Sequence, residues 1–443
     1  MKKELHLIYD QIIKKGIKEF EITLLHSYSS TTEVKDQKLD ALEKAEKKGF
    51  KIRVLNGGRL GFSFGTDFSP ESINYVIDQA FQSATCLSPD SFNIFQEKIL
   101  PMPVLQNNDP CYFQLTQNEK NEALLSMEKA ALNQGSRVKR VRYASLNDSR
   151  DTIWILNHHG IKLTHERTEF QTTIMPVVEE GSETESYFDQ QYSPFWKDLQ
   201  FEDLGKAAAT EALSRLGGKR LPTLKTPIIL NSQVANEIID VLSFSILAEN
   251  VFKKNSFLIG KMGKQIYSPL ITLLDDGLLP LGSESFPFDA EGTPRQKTSV
   301  IQKGVVRNFL YDLYWAGKMK ATSTGNAKHT NYDEKPSLGT TNFYVEPGNT
   351  SLETMCGQMN DGVLLTETIG MHTADEISGD FSVAVQGYRI LGGKKAYPLR
   401  SMAWSGNLHE VFRKIVCVGS DLRFYGDRGS PSLWVEEGSL SGE

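Results

Sequence analysis

The sequence predicts an α+β fold: N-terminal helix–sheet units, then a C-terminal β-rich domain, curved or barrel-like, with one long buried helix. Three observations predict it. Two early blocks each combine period-two apolar alternation with amphipathic helical stretches. Gly217-Gly218 and the segment KRLPTLK then separate these blocks from the rest of the chain. Beyond residue 221, short β-type runs recur at close spacing between Gly, Pro and Asn, the pattern of a sheet that curls on itself. The partition that follows is 1–86, a Pro- and Asn-rich connector at 87–112, a middle unit at 113–220, and 221–443.

Taken in order, residues 4–15 read as a short amphipathic helix with Leu5, Ile8, Ile12 and Ile13 inward. EFEITLLHSYSSTTEVKD alternates as a long strand leading into a charged helix around Lys38–Lys48. FKIRVLNGGRLGFSFG is a hairpin turning at Asn56-Gly57-Gly58. Ser69-Pro70-Glu71 is a cap with proline in the first turn, so a helix follows to about Cys86. In the middle unit TQNEKNEALLSMEKAALNQ is helical. The run from Val138 to Glu180 forms antiparallel strands, and FEDLGKAAATEALSRLGG is a helix.

The long helix is Ser232–Ser256, just after the strand Thr226–Leu230. Val234, Ile238, Val241, Leu242, Leu247 and Val251 recur at helical spacing, Asn231-Ser232 caps the start, and Lys253 and Lys254 suit the C-terminal end. This stretch carries no His and no Cys. After it come SPLITLLDDG, KTSVIQKGVVRNFLYDL, GTTNFYVEPG, DGVLLTETIG, FSVAVQGYRI and FRKIVCVGSDL as strands, with helical pieces at Tyr311–Lys318 and Ser351–Met359.

Composition excludes several classes. With 443 residues there is room for two or three domains, each with its own core. A net charge of −6 argues against wrapping nucleic acid. The N-terminus lacks the apolar run of a signal peptide, and no stretch reaches the roughly 20 apolar residues of a membrane span. Cys86, Cys111, Cys356 and Cys417 are scattered, which suits a reducing cytoplasm and neither a disulfide framework nor a zinc knuckle.

Four short patterns touch on chemistry. Gly61-Phe62-Ser63-Phe64-Gly65 matches G-x-S-x-G, but its serine sits in a hairpin strand where an elbow needs strand, turn and helix. Asn157-His158-His159-Gly160, with His165 beyond, reads as a turn with glycine at the positive-φ position. His409-Glu410 lacks the second histidine of a zinc helix. The carboxylates Asp275, Asp276, Asp289 and Glu291, with Asn326 in the loop Ser323-Thr324-Gly325-Asn326, either organise tight turns or contact an extended peptide; acid/base work by the four carboxylates is a third reading.

Several stretches together resemble the TldD/PmbA family, the proteins once called modulators of DNA gyrase. They are NSFLIGKMGKQIYSPLITLLDDG, FPFDAEGTPRQKTSVIQKGVVRNFLYDLYWAGK, STGNA and SGDFSVAVQGYRILGGKKAYPLRSMAWSGNLHEVFRKIVCVGSDL, with Ile52–Ala84 similar to the family's first domain. The resemblance implies a zinc metallopeptidase fold acting on peptides and unfolded segments, in which an H-E-x-x-x-H helix holds the metal and its glutamate polarises the attacking water. With Glu249 as the anchor, the histidine positions fall near Val241 and Ile246, neither of which has a lone pair to offer. Cys417 sits too early to replace the C-terminal cysteine ligand of catalytic relatives. The chain therefore resembles the PmbA (TldE) branch: a non-catalytic, cytoplasmic subunit with no cofactor of its own and zinc only in a TldD-type partner. The alternative is a stand-alone homodimer that binds peptides without cleaving them. Were zinc bound here, His158, His159, His372 and His409 are the ligands to examine.

Overall fold

The computed structural model describes residues 2–442. Helix makes up 24% and strand 41% of it, so the protein is α+β as its sequence predicts. The first block comprises α1 (Lys2–Lys14), β1 (Phe20–Lys35), β2 (Lys38–Asn56), β3 (Arg59–Gly65) and α2 (Pro70–Thr85). The middle block comprises α3 (Gln117–Leu132), β4 (Val138–Asn157), β5 (Lys162–Glu180), β6 (Glu183–Ser186), β7 (Asp189–Ser193) and α4 (Phe201–Ser214). Their strands form one seven-stranded sheet in the order β3-β2-β1-β4-β5-β6, with β7 also on β5.

All four helices cover one face of this sheet. Ile8 and Ile12 of α1 and Ile73, Val76 and Ile77 of α2 pack with Ile22, Leu24 and Phe50. Leu124 and Met127 of α3 pack with Ala208 and Ala212 of α4 over Leu146, Phe170 and Ile174. The opposite face, through Leu25, Ile153 and Ile155, meets Phe286 and Phe288 of the C-terminal half.

Two expectations for the first block are corrected. Ile13 is 50% exposed, because the apolar stripe of α1 is satisfied by Leu5, Ile8 and Ile12. Lys38–Lys48 is strand, not helix. Its Lys, Glu, Ala and Leu residues favour a helix, but the turn at Asp36 and Gln37, with φ of 51° and 58°, folds the chain straight back along β1. Glu128 of α3 fixes that turn by accepting the amides of Asp36 (2.9 Å) and Gln37 (2.8 Å). A ladder running from Lys35↔Lys38 to Phe20↔Val54 then outweighs local propensity.

The C-terminal half begins with β8 (Leu224–Leu230), α5 (Ser232–Ser243), α6 (Ala248–Phe252), β9 (Leu273–Asp276), β10 (Lys297–Gln302) and β11 (Val305–Val306). Next come α7 (Leu313–Met319), the small pair β12 (Ala327–Lys328) and β13 (Ser337–Leu338), β14 (Asn342–Val345), α8 (Leu352–Gln358) and β15 (Asp361–Ile369). The long hairpin β16 (Asp380–Leu391) and β17 (Lys394–Asn407) leads to α9 (Leu408–Arg413) and β18 (Ile415–Val418). β19 (Arg423–Tyr425), β20 (Arg428–Ser430) and β21 (Leu433–Ser441) complete the chain.

Strands β17-β16-β15-β8-β21 close into a five-stranded barrel through the β17–β21 pairing, so the barrel reading holds. A second sheet runs β11-β10-β9-β14-β20-β19. Helix α5 packs between the two, against β8 and β15 on one side and β14, β19 and β20 on the other. Its Val234, Ile238, Ile239, Val241 and Leu242 join Ile228, Leu230, Leu273, Phe343 and Trp404 in the largest core of the protein.

The predicted single helix over Ser232–Ser256 is in two pieces. After α5 a 3₁₀ turn spans Phe244–Ile246, and Leu247 takes an extended conformation (φ −76°, ψ 128°) before α6 begins. The break is made by a strand-like contact with Leu310, which accepts the Ala248 amide (3.0 Å) and donates to the Ile246 carbonyl (3.0 Å). Asn250 then donates to the Phe244 carbonyl left open by the break (2.7 Å).

Candidate functional site

The acidic residues singled out in the sequence converge on the junction between the N-terminal sheet and the C-terminal half. Asp275, at the end of β9, is 1% exposed. Its carboxylate accepts the Thr341 amide (2.7 Å), the Thr341 hydroxyl (2.9 Å) and Nδ2 of Asn326 (2.8 Å). Asn326 also donates to the Gly339 carbonyl (3.0 Å) and accepts from Thr324 Oγ1 (2.6 Å). Asp276 accepts the Leu278 amide (3.0 Å) and so organises the turn after β9.

Asp289 is fully buried, and its Oδ1 accepts the amides of Glu291 and Thr293 at 2.9 Å each. Its Oδ2 accepts the amide of Ala327 (3.1 Å), which ties the Asp289 loop to the Asn326 loop. Burial, and the charge of Glu291 beside it, raise the affinity of Asp289 for a proton, against the pull of those three amides.

Glu291 reaches further. Its Oε2 accepts the Leu313 amide at the start of α7 (3.0 Å), and its Oε1 lies 3.3 Å from Nη1 of Arg53 on β2. Arg53 in turn donates from Nε (3.0 Å) and Nη2 (2.8 Å) to Glu21 of β1, with Phe95 against its guanidinium. Glu21, Arg53 and Glu291 are 1%, 4% and 6% exposed, so one arginine bridges the two halves between two buried carboxylates. Burial raises the Glu21 carboxyl above its usual range even though Arg53 opposes the shift. The sequence did not single out Glu21 or Arg53, since nothing in a period-two strand marks an inward charge that has a distant partner.

These contacts hold the five residues in buried loops through backbone amides, neighbouring side chains and Arg53. Each carboxylate that could serve as an acid or base is held by backbone amides or by arginine, away from bulk water. The remaining patterns are scattered. Ser63 is a ladder residue of β3 opposite Ile52. Asn157 caps the turn at His158–Gly160 by accepting the amides of His159 (3.0 Å) and Ile161 (3.2 Å), and Gly160 has φ 86°. His158 Nδ1 lies 3.2 Å from the backbone of Phe20. His165 pairs with Asn107 (2.8 Å) and burial lowers its pKa to about 4. His372 is exposed. His409 stacks on Phe257 at 3.4 Å, pairs with Tyr267 (2.8 Å), and is lowered by burial to about 4.

The donor set for zinc is therefore absent from the place where the resemblance puts it. Val241, Ile246 and Glu249 stand on α5, the 3₁₀ turn and α6 respectively, so they do not share one helical face. Among the described residues no three of His, Cys, Asp and Glu come together as a metal-holding group. The four cysteines are all free.

Sequence reasoning passes over two carboxylates of α5. Asp240 is exposed and pairs with Arg428 (2.8 Å). Glu237 accepts a hydrogen bond from Thr368 of β15 and faces Glu367 and Asp240; burial first, then those two charges, push it up to about 7. A carboxyl raised in this way favours the folded state at low pH, and that contribution fades as pH rises through about 7. Glu237→Gln is expected to gain about 1–2 kcal/mol at pH 8, after allowance for solvent screening, and nothing near pH 4. Urea denaturation at the two pH values checks this, and an equal effect at both would contradict it.

The fold and the junction together define a class: a two-part α+β chain in which a helix-covered N-terminal sheet meets, through buried charges, a C-terminal half built of a closed barrel and a second sheet. Matches to known proteins give the class its name. The domain described as "PmbA/TldA metallopeptidase domain 1" matches residues 20–84, the central domain 112–216, and the C-terminal domain 223–442. "Metalloprotease PmbA" of Escherichia coli O157:H7 is 28% identical over 396 residues, covering 88% of this chain and 85% of that protein. A crystal structure from Thermotoga maritima MSB8, described as a modulator of a DNA gyrase, superposes with a TM-score of 0.92 at 27% identity, covering 99% of this chain and 100% of that one. TldE from Thermococcus kodakarensis has the same fold, with a TM-score of 0.87 at 23% identity and 99% of both chains covered. The chain belongs to the TldD/PmbA family.

Proposed function

We propose that this protein is a PmbA/TldE-type, non-catalytic cytoplasmic subunit that works with a TldD-type zinc metallopeptidase on peptides and unfolded segments. The observation that carries the reading is the α5–α6 stretch. The resemblance puts the family's metal helix here, but the stretch has neither imidazole nor thiol, and the extended residue Leu247 interrupts it. In this reading the metal chemistry belongs to the partner, and this chain supplies architecture and room for an extended segment. A cleft of about 520 Å³ next to the junction suits such a segment: Ser27, Ser29 and Lys47 of the sheet face His329, Thr330 and Asn331 across it. Hydroxyls and amides on both walls can pair with a peptide backbone irrespective of its side chains. No described helix is long and apolar enough to cross a membrane.

The test is zinc content and peptidase activity of the purified chain, alone and mixed with a TldD-type partner. The expected result is no stoichiometric zinc in the chain and cleavage only in the mixture. Zinc bound at one per chain, or cleavage by the chain alone, overturns the reading. A chain that binds peptide, ignores the partner and never supports cleavage would be the stand-alone binding protein instead.

A further inference from the structure

The cleft next to the junction has one wall built into a sheet and one that is only latched. The first is the face of the N-terminal sheet that carries Ser27, Ser29 and Ser149; the second is the hairpin of β12 and β13 with its tip, residues 329–336. The acidic network holds the feet of this hairpin. Asn326 donates to Asp275 (2.8 Å), and Thr341, beyond β13, donates its amide to Asp275 (2.7 Å). Ala327 donates its amide to Asp289 (3.1 Å) and accepts that of Ala290 (2.9 Å). Beyond the feet the hairpin stands alone. Among the described residues β12 and β13 pair only with each other, through Ala327↔Leu338 and Lys328↔Ser337, so no ladder ties them to a larger sheet.

The tip is shaped by its own bonds. Thr330 Oγ1 donates to the Glu334 carbonyl (3.1 Å), and the Glu334 amide donates to the Asn331 carbonyl (3.2 Å). It rests on β2 and β3 through three side chains. Lys51 of β2, 3% exposed, donates from Nζ to Thr330 Oγ1 (2.9 Å) and to the carbonyls of Glu334 (3.1 Å), Asn331 (3.2 Å) and Thr330 (3.4 Å). The Tyr332 ring covers Gly49 so closely that a Cβ there would fall 2.3 Å from its Cγ, and it lies 6.2 Å from the Phe64 ring. Lys335 Nζ lies 5.7 Å from the centroid of Phe62. Among the described residues every hydrogen bond of the Lys51 ammonium goes to this tip. Burial lowers its pKa to about 8, so the closed tip holds a charge that water would hold better. Lifting the tip returns the ammonium to water, which offsets much of the loss of its bonds. Such a contact opens reversibly.

We propose that residues 329–336 are a lid, hinged on the Asp275–Asp289 network and latched to β2 by Lys51 and Tyr332, which opens to admit an extended polypeptide into the cleft of about 520 Å³. Because a whole wall swings away, an internal stretch of an unfolded chain enters from the side, with no chain end to thread. The buried carboxylates gain a role in this: they keep the feet still, so that only the tip moves between two discrete positions. What enters rests on the reading of the cleft given above, whereas the hinge and the latch rest on these contacts alone.

The experiment measures the distance from lid to sheet in the full chain by pulsed electron resonance. Spin labels are placed on Asp333→Cys at the exposed tip and Tyr75→Cys on the exposed side of α2. Cys86, Cys111 and Cys417 are replaced by serine, buried Cys356 is kept, and excess unlabelled chain is added so that only distances within one chain are read. A second pair, Tyr75→Cys with the exposed Lys139→Cys, reports on the sheet itself. The latched protein is expected to show one distance. Lys51→Met/Tyr332→Ala is expected to show a second that dominates, since losing the ammonium's bonds alone lowers the closed-to-open ratio at least about tenfold. Tyr332→Ala by itself, at a half-buried position on the tip, leaves the sheet untouched and should shift the distances the same way. Fluorescein-labelled casein, an unfolded chain, is expected to associate several-fold faster with the double variant. Lid distances that stay put in both variants, or a sheet distance that moves with them, overturn the lid. Equal association rates with shifted lid distances overturn its role in admitting the chain. Shifted distances in a protein that binds no casein keep the lid and strike only the peptide reading of the cleft.

Discussion

Replacing Arg53 by methionine is expected to destabilise the protein by about 3–5 kcal/mol, the cost of stranding buried carboxylates without their cation. Both Glu21 and Glu291 lose their charge partner, and neither has water to replace it. Glu291 keeps only the Leu313 amide, so α7 and the Asp289 loop should loosen along with the contact between the N-terminal sheet and the C-terminal half. The loss carries a pH signature. Carboxyls stripped of a cation in a buried place bind protons more tightly, so the deficit should be largest near pH 8 and shrink on acidification. Arg53→Met combined with Glu21→Gln should recover part of it by removing one orphaned charge. Chemical denaturation of wild type and variants at several pH values measures all of this. A pH-independent loss would mean that the arginine acts through packing against Phe95 and not through its charge.

Gly61→Ala is expected to cost about 3 kcal/mol or more, among the largest effects of adding one methyl group. A Cβ built on Gly61 would lie 1.9 Å from the Ala80 carbonyl oxygen and 2.7 Å from the Ala84 amide nitrogen. Both are backbone atoms of α2, so no side chain can move aside. The strand and helix would have to part, opening the core of Ile73, Ile77 and Phe50. Ser63→Ala, two residues on, should change stability by less than about 0.5 kcal/mol and leave any partner-dependent cleavage intact. Thermal melts of the two variants separate the meanings of the G-x-S-x-G pattern. If the serine were a nucleophile, Ser63→Ala would abolish cleavage without affecting the melt. Here the glycine matters because the backbone of α2 lies against it.

The fate of individual residues shows how far the chain can be read without its fold. The Asn56-Gly57-Gly58 hairpin, the Ser69 and Thr116 helix starts and the buried face of α5 follow from signals within a few residues, and each forms as the sequence predicts. Val241 and Ile246, as residue types, state from the sequence alone that no imidazole stands there. The turn in which Asp289 accepts the amides of Glu291 and Thr293 is half legible, because Gly292 lies within it at a φ of 79°. The partner of Glu291 is not legible at all. Arg53 lies 238 residues away in sequence, and only the docking of the N-terminal sheet on the C-terminal half brings the two together.

By itself, then, the sequence determined the α+β class, the curled C-terminal sheet, the lack of His and Cys in Ser232–Ser256 and the likeness to the family, because local periodicity, turn chemistry and residue identity are properties of short segments. Only the tertiary structure decided three further points. Lys38–Lys48 became strand because a pinned turn laid it along β1. The Ser232–Ser256 helix broke because Leu310 drew Leu247 into an extended contact. The acidic loop became a buried junction because Arg53 met it from another block. In each case a long-range contact outweighed a local preference, whose strength is only tenths of a kcal/mol to about one per residue.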